Sequence, residues 1–430
     1  MKPSDDTPPR LSGPEEGAIS RRMSAPLRAH RARAVAFYLP QFHSIPENDE
    51  WWGSGFTEWT NVRKARPLFE GHAQPRQPGE LGYYDLLNPD ARARQAELAA
   101  GHGVEAFCYW HYWFAGKRLL ERPFEAVLRS GEPQFDFCLA WANHSWTASW
   151  VGRPWQLLID QTYPGRADYE AHYASVRDAF GDPRYVLVDG RPLFVIFRPQ
   201  RVPEPKLFTD TWRELAHRDG FPGLHLLGIC DPSLDPAELG LDGTIAPGIG
   251  HLLSFQSRSM FRRAELRRRV TTVLERRGLG PAHQLIARAG APTLAPAALR
   301  LAHDRVSEEL LLPLRQPYGD LVDAACHDAL RPGRLPCVTP NWDNTPRVGR
   351  WGTVLEDSTP EAYARHLEHA VQQVSARRPE ERLVFLKSWN EWAEGNYLEP
   401  DNRYGRAFLE ATRDVLSVAT PGVEAGELSL

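Results

Sequence analysis

Two carboxylates three residues apart, Glu391 and Glu394, lie in Ser388-Trp389-Asn390-Glu391-Trp392-Ala393-Glu394-Gly395, directly after the apolar run Leu383-Val384-Phe385-Leu386. Sugar chemistry uses such a combination. Carboxyl groups move protons and stabilise an oxocarbenium-like transition state. Indoles stack on sugar faces and exclude water, which raises the pKa of one carboxyl so that it can act as an acid. An acidic pair that only complements a helix dipole is the plainer explanation, but it needs no flanking Trp or Asn. Glu391 and Glu394 are therefore the expected catalytic pair, with Trp389, Asn390 and Trp392 beside the sugar.

Something must hold that pair at the end of a strand. Short apolar runs recur at residues 35–38, 104–109, 137–140, 193–197, 224–230, 243–246, 335–339 and 383–386. Each is too short for a helix and ends in turn, polar or aromatic residues. Helical spacing of apolar positions falls between them, at residues 90–101, 167–180, 207–219, 360–377 and 404–417. Strand, helix, strand implies parallel βαβ units, and eight such units suggest a closed α/β barrel of the (β/α)8 TIM type. A doubly wound sheet is the alternative. In the barrel, the active site lies at the C-terminal strand ends, where the polar and aromatic residues cluster. Tyr38, Gln41, His43, Trp110, His111, Trp141, Asn143, His144, Trp342, Asp343 and Tyr397 follow from that placement as substrate-binding candidates, and Glu399 as a rim residue. Each has a structural alternative: a satisfied core His for His111, an Asx turn before Pro346 for Asp343, a benign loop residue for His144. Glu58 belongs to a lid or caps a turn.

Two segments depart from a minimal barrel. Residues 44–88 form a long first βα loop rich in Pro, Gly and Trp, and loops this long are often functional. Residues 254–318 carry Arg262-Arg263, Arg267-Arg268-Arg269 and Arg276-Arg277 and are expected to form a helical insertion, either a solvated face or a docking surface for anionic glycan or lipid phosphate. The expected domain plan is a disordered tail over 1–30, one catalytic barrel over 31–418 and a short tail over 419–430.

Composition narrows the partners. The 430 residues include 51 Lys and Arg and 55 Asp and Glu, a net charge of -4, which makes no case for a nucleic-acid or membrane partner. The 14 tryptophans, many beside Gly, Asn and His, suit a ligand with apolar and polar faces, such as a sugar. The 5 cysteines form no CxxC pair and sit mostly in apolar runs, so reduced thiols, no metal site and a cytoplasmic location are expected. The N-terminal stretch has no apolar segment of signal-peptide length, and no run approaches a membrane span.

Several segments together resemble one family. Ala36-Phe37-Tyr38-Leu39-Pro40-Gln41-Phe42-His43 is followed by Pro46-Glu47-Asn48, Trp51-Trp52-Gly53, Gly55-Phe56-Thr57-Glu58-Trp59-Thr60-Asn61-Val62 and Gly82-Tyr83-Tyr84-Asp85-Leu86. Trp141-Ala142-Asn143, Trp342-Asp343-Asn344-Thr345-Pro346-Arg347 and Trp389-Asn390-Glu391-Trp392-Ala393-Glu394-Gly395 complete the pattern. The chain resembles the WbsX-type, glycoside hydrolase family 99-like proteins, often encoded with O-antigen or capsule synthesis genes and frequently labelled glycosyltransferases. The resemblance runs from about residue 33 to about residue 415 and is weakest across 254–318. It implies a (β/α)8 barrel related to endo-α-mannosidases. It also implies Glu391 as the base that draws the proton from a sugar 2-hydroxyl, Glu394 as the acid on the leaving oxygen, and retention through a 1,2-anhydro sugar. Related proteins commonly carry Glu after Trp-Ala-Asn, where this chain has His144.

Three functions follow as competitors. The first is a glycoside hydrolase or transglycosylase acting on α-linked, mannose-like oligosaccharide or polysaccharide, including lipid-linked forms, in cell-surface polysaccharide metabolism. The second is a glycosyltransferase of lipopolysaccharide or O-antigen biosynthesis. The third is a sugar-binding protein without catalysis. The chain has no Asp-x-Asp, no GxxxxGK[ST] and no complete GxGxxG, only the fragment Gly248-Ile249-Gly250, which counts against a metal-dependent nucleotide-sugar transferase. Two carboxylates so close together count against simple binding. No cofactor is expected.

Overall fold

The computed structural model describes residues 30–148, 153–230, 233–246, 312–327 and 330–418. The expected N-terminal tail up to residue 29, the C-terminal tail, most of the Arg-rich insertion and the Gly248-Ile249-Gly250 fragment lie outside these residues, whereas His30 bridges to Ser417.

Nine parallel segments hydrogen-bond in one ordered path. In chain order they are β1 (Arg33–Tyr38), β2 (Val104–Phe114), β3 (Asp136–Trp141), β4 (Arg191–Ile196), β5 (His225–Ile229), β6 (Gly243–Ile245), the two segments Arg334–Leu335 and Cys337–Val338, and β8 (Leu383–Leu386). The path begins at Arg334–Leu335, which pairs with β6, and ends at Cys337–Val338, which pairs with β8. Only Pro336 separates these two ends. Proline has no N–H to give the ladder, so it interrupts a single strand, β7, whose halves face opposite neighbours. The Pro336 carbonyl still accepts from the Phe385 N–H at 3.0 Å. Counted this way the ring closes with eight strands, the expected (β/α)8 barrel, and all the expected strands are present.

Helices α1 (Pro89–Gly101), α2 (Arg122–Ser130), α3 (Arg166–Phe180), α4 (Pro205–Arg218), α5 (Tyr318–His327), α6 (Pro360–Val374) and α7 (Ala407–Leu416) follow the strands. A 3-10 turn at Pro236–Leu239 replaces a helix between β5 and β6. Two of these helices, α2 and α5, lack a clear counterpart in the sequence reading. The start of α1 is local chemistry: Asn88 Oδ1 accepts from the Asp90 N–H at 2.9 Å and Pro89 occupies the first turn. No described helix is long and apolar enough to cross a membrane.

Side chains on a buried strand alternate between the barrel interior and the helices outside. On β1, Phe37 stacks on Trp110 at 4.9 Å and on Phe385 at 5.5 Å, within the strand ring. Its neighbour Tyr38 turns the other way and donates to Gln95 Oε1 on α1 at 2.8 Å. On β2, Trp110 faces the interior, whereas His111 lies 2.9 Å from His172 on α3.

The long first loop is built, not loose. It contains short helices at Pro46–Trp52 and Glu58–Lys64, and Trp59 Nε1 donates to the Tyr84 carbonyl at 2.7 Å. Two hairpins extend the barrel mouth on the same side. One folds the end of β2 onto Lys117–Leu119, and the other pairs Trp146–Ala148 with Arg153–Ile159.

The interior makes a testable acid sensitivity. Burial holds His43 down to about 4, His111 down to about 3, His366 down to about 4, and His172 well below its ordinary value. All four are at most 6 % exposed. An unfolded histidine takes up its proton near pH 6.5, so the unfolded state binds more protons than the fold once pH drops below that value. Stability should be full above pH 6.5 and fall towards pH 4, by about 2 kcal/mol per fully buried histidine at pH 5. Buried Glu399, pushed up to about 7 by burial, gives back part of that loss. Urea midpoints at pH 7.5 and pH 5 check this; equal midpoints would refute it.

Candidate active site

The motif after β8 continues the barrel before it turns away. The Trp389 N–H donates to the Phe37 carbonyl at 2.8 Å, and Asn390 then imitates a strand, its Oδ1 accepting from the Leu39 N–H at 2.7 Å and its Nδ2 donating to the Leu39 carbonyl at 3.1 Å. Asn390–Glu391 pairs antiparallel with Asn396–Tyr397, and a 3-10 turn at Trp392–Glu394 closes this small hairpin. The Ser388 hydroxyl locks it by donating to the Asn396 carbonyl at 2.7 Å and accepting from the Glu391 N–H at 3.2 Å. Gly395 has φ +56, and a Cβ there would come within 2.8 Å of Asp343, so the turn requires glycine. The two carboxylates thus sit on a strand end and a turn, not on a helix start.

Both line one cavity of about 350 Å³ at the C-terminal ends of the strands. Gln41, Trp52, Trp110, Tyr112, His144, Trp146, Phe197, Arg198, Arg347 and Lys387 line it with them. Glu391 Oε1 accepts from Trp110 Nε1 at 2.8 Å, and Lys387 Nζ stands 3.5 Å from Glu391 Oε2. Arg347 donates to Glu394 Oε1 at 2.6 Å and to Glu58 Oε2 at 2.7 Å. Glu58 is fully buried, so the first loop contributes a structural carboxylate to the site. Lys387 also lies 5.6 Å from the Trp342 ring centre.

These contacts divide the protons unequally. Burial alone would raise Glu391, but the positive charge of Lys387, a hydrogen bond from Glu394, Arg347 and the Trp110 N–H together hold it below the ordinary carboxylate range. Burial raises Glu394, the neighbouring Glu391 charge raises it further, and Arg347 and Lys387 offset only part of this. The ion pair with Arg347 and a proton on Glu394 are compatible. Oε1 faces the guanidinium, while Oε2, buried and 3.8 Å from Lys387 Nζ, accepts no hydrogen bond and is free to carry the proton. The two shifts run in opposite directions, Glu391 down and Glu394 up, so Glu394 is the carboxyl suited to hold a proton.

The remaining sequence-derived candidates separate by the direction of their side chains. Gln41, Trp110 and His144 face the cavity, and Trp342 lies beneath Lys387. Tyr38, His111 and Trp141 face the helices: Trp141 stacks on Phe208 of α4 at 5.3 Å and donates to the Trp113 carbonyl at 3.2 Å. His43 is buried with Nδ1 on the Pro40 carbonyl at 2.9 Å. Asn143 acts on backbone, donating to the Arg198 carbonyl at 2.9 Å and accepting from its N–H at 2.8 Å. Trp389 packs in the core at 5.1 Å from Phe107, and Trp392 stacks on Tyr397 at 3.8 Å. Tyr397 and Asp343 line a separate cavity of about 420 Å³ behind the motif. There Asp343 Oδ2 accepts from His72 Nε2 at 2.8 Å and Gln74 Nε2 at 2.7 Å, and the Tyr397 hydroxyl donates to Asp401 at 2.7 Å. Glu399 lies beneath the rim, not on it, accepting from Trp392 at 2.5 Å, Gln95 at 2.6 Å and Tyr84 at 2.9 Å. Lys387, Arg347 and Arg198 escaped the sequence reading. Lys387 and Arg347 stood in plain view, one directly before the motif and the other in Trp342-Asp343-Asn344-Thr345-Pro346-Arg347.

A family model described as "Glycosyltransferase WbsX" matches residues 34–412. Proteins named "Uncharacterized protein WxcX" from two strains of Xanthomonas campestris pv. campestris are similar. One is 38% identical over 393 residues, 90% of this chain and 50% of the relative. The other is 38% identical over 408 residues, 94% of this chain and 52% of the relative. The chain therefore spans about half the length of these curated relatives. Among solved structures, a "Glycoside hydrolase-like protein" superposes with a TM-score of 0.51 at 13% identity, covering 95% of this chain and 100% of that one, which supports the barrel fold. A glycoside hydrolase family 99 endo-α-mannosidase from Bacteroides thetaiotaomicron gives 0.49 at 14% identity, over 89% and 96% of the two chains. With the family model matched from β1 through most of α7, the chain belongs to the glycosyltransferase WbsX family.

Proposed function

We propose that this chain is a carbohydrate-active enzyme that cleaves an α-linked, mannose-like glycan with retention, using Glu391 as base and Glu394 as acid. The observation carrying this reading is the placement of both carboxyls in one cavity with different partners, Trp110 and Lys387 on Glu391 and Arg347 on Glu394. Glu391 takes the proton from the sugar 2-hydroxyl, and O2 attacks the anomeric carbon as the glycosidic bond breaks. Glu394 gives its proton to the leaving oxygen. Water then opens the 1,2-anhydro sugar: Glu394 takes a water proton as hydroxide oxygen bonds to the anomeric carbon, and Glu391 returns its proton to O2. Trp110, donating to Glu391 from the cavity wall, keeps that carboxylate oriented and stabilises its charge. A role in cell-surface polysaccharide metabolism, on lipid-linked glycans in the cytoplasm, extends the family resemblance.

The name of the family supports a second reading, transfer of a sugar from an activated donor. Mass-spectrometric product analysis separates the two. Purified protein is incubated with α-mannan fragments and with bacterial surface polysaccharides, with and without nucleotide sugars, beside a Glu391→Gln/Glu394→Gln control. Glutamate-dependent shortening without nucleotide supports hydrolysis. Extension that requires a nucleotide sugar supports transfer and retires the mechanism above.

A further inference from the structure

In the protonation state that the acid role requires, the cavity that holds the carboxylate pair carries one positive charge more than its own residues balance. Three cations line it: Lys387, Arg347 and Arg198. Lys387 faces Glu391, and Arg347 is taken up by Glu58 and Glu394. With Glu394 protonated, as the acid role demands, only Glu58 and Glu391 remain charged against those cations. Arg198 is the one left over. Among the described residues no carboxylate forms an ion pair with it, and it stands exposed at the cavity mouth.

Arg198 is nevertheless held with care. It follows β4 at the cavity mouth, and Asn143 grips its backbone on both the N–H and the carbonyl side. Its guanidinium lies 4.9 Å from the centre of the Phe197 ring, a cation–π seat that limits where the head can point. Next to Asn143, His144 lines the same wall at 5.4 Å from Phe197, with Nδ1 buried and unpartnered. Gln41, 3 % exposed, lines the cavity with Nε2 buried and unpartnered as well. Buried donors without partners are uncommon in a finished protein interior. Here they border an open cavity beside a cation without an anion.

We propose that the cavity binds an acidic glycan, and that Arg198 receives the carboxylate of a uronic acid-type sugar, with Gln41 and His144 completing its hydrogen bonds. The planar guanidinium matches a carboxylate with two parallel donors. A single uncompensated positive charge beside a neutral histidine suits one monoanion better than a diphosphate. The inference rests on the reading of this cavity as a sugar site, not on whether the reaction is hydrolysis or transfer.

The test is a binding measurement on the Glu394→Gln protein, whose neutral amide stands for the protonated acid and suppresses turnover. A panel of uronate-containing oligosaccharides is titrated calorimetrically, each beside its carboxyl-reduced neutral counterpart, with a nucleotide diphosphate sugar and inorganic pyrophosphate in parallel. For at least one pair, the acidic member should bind about tenfold or more tighter, as charge-assisted hydrogen bonds of this kind allow. Adding Arg198→Met should remove that preference while leaving neutral glycans within about twofold, and Arg198→Lys should restore part of it. Because the Arg198 head is exposed, melting temperatures of these variants should match the parent. No acidic preference in any pair, equal losses for acidic and neutral glycans, or tighter binding of the diphosphates than of every uronate would each overturn the proposal. Acidic preference in binding, together with no shortening of any glycan by the parent protein in the product analysis above, would leave it standing and remove the hydrolase reading.

Discussion

Glu394→Gln should lose about 10²- to 10⁴-fold in turnover on unactivated glycans, the range that a positioned general acid contributes, and far less on substrates whose leaving group needs no proton. The amide fills the same space and still accepts from Arg347 through its carbonyl oxygen, but it has no proton to give. Glu391→Gln should lose turnover on both substrate classes, because the base step precedes departure whatever the leaving group. The pH profile carries the same information. Glu391 is held below the ordinary carboxylate range, so the base is charged even in acid. Glu394 is held above that range, so the acid stays protonated towards neutrality. Activity should form a plateau between these two limits, and Glu394→Gln should abolish its alkaline limb on activated substrates. Wild-type-like rates in either variant, or an unchanged alkaline limb, would refute the assignment.

Arg347→Met should be the most destabilising single change in the site. Arg347 joins two carboxylates from distant parts of the chain, Glu58 at 2.7 Å and Glu394 at 2.6 Å. Glu58 is fully buried, and without the guanidinium its charge has no adequate partner. Breaking a buried pair from one side costs about 3 to 5 kcal/mol. The double variant Arg347→Met/Glu58→Gln should recover much of that loss, because no unpaired charge then remains buried. Urea unfolding of the single and double variants measures both values. A second readout is independent of stability: loss of Arg347 lets Glu394 rise further, so the alkaline limb of activity should move upward. Parent-like stability in Arg347→Met would show that the bridge contributes nothing.

Much of the molecule was legible because its signals are local. Apolar runs of strand length separated by helical spacing set the order of elements, and the residues after each run fall at the C-terminal strand ends. The interruption at Pro336 was not legible as closure, because the two halves of β7 pair with β6 and β8, partners far apart in sequence. Helix α2 was missed in part because it is short and opens without a side-chain cap contact of the kind that Asn88 supplies to α1.

The carboxylate pair, its indoles and its place after an apolar strand were determined by the sequence alone. The side on which each neighbour works was decided only by tertiary structure. Parallel barrel strands are buried on both faces, so hydrophobic alternation cannot say which residues look inward. Trp110 therefore reaches Glu391, while His111, one residue on, packs against His172 on a helix outside the ring. The division of protons has the same origin. Glu391 and Glu394 are the same residue type three positions apart, and what distinguishes them is Lys387 and the Trp110 N–H on Glu391, the latter from 281 residues away along the chain, against the Glu391 charge itself on Glu394. Electrostatic coupling acts through space, at distances that only the closed barrel sets.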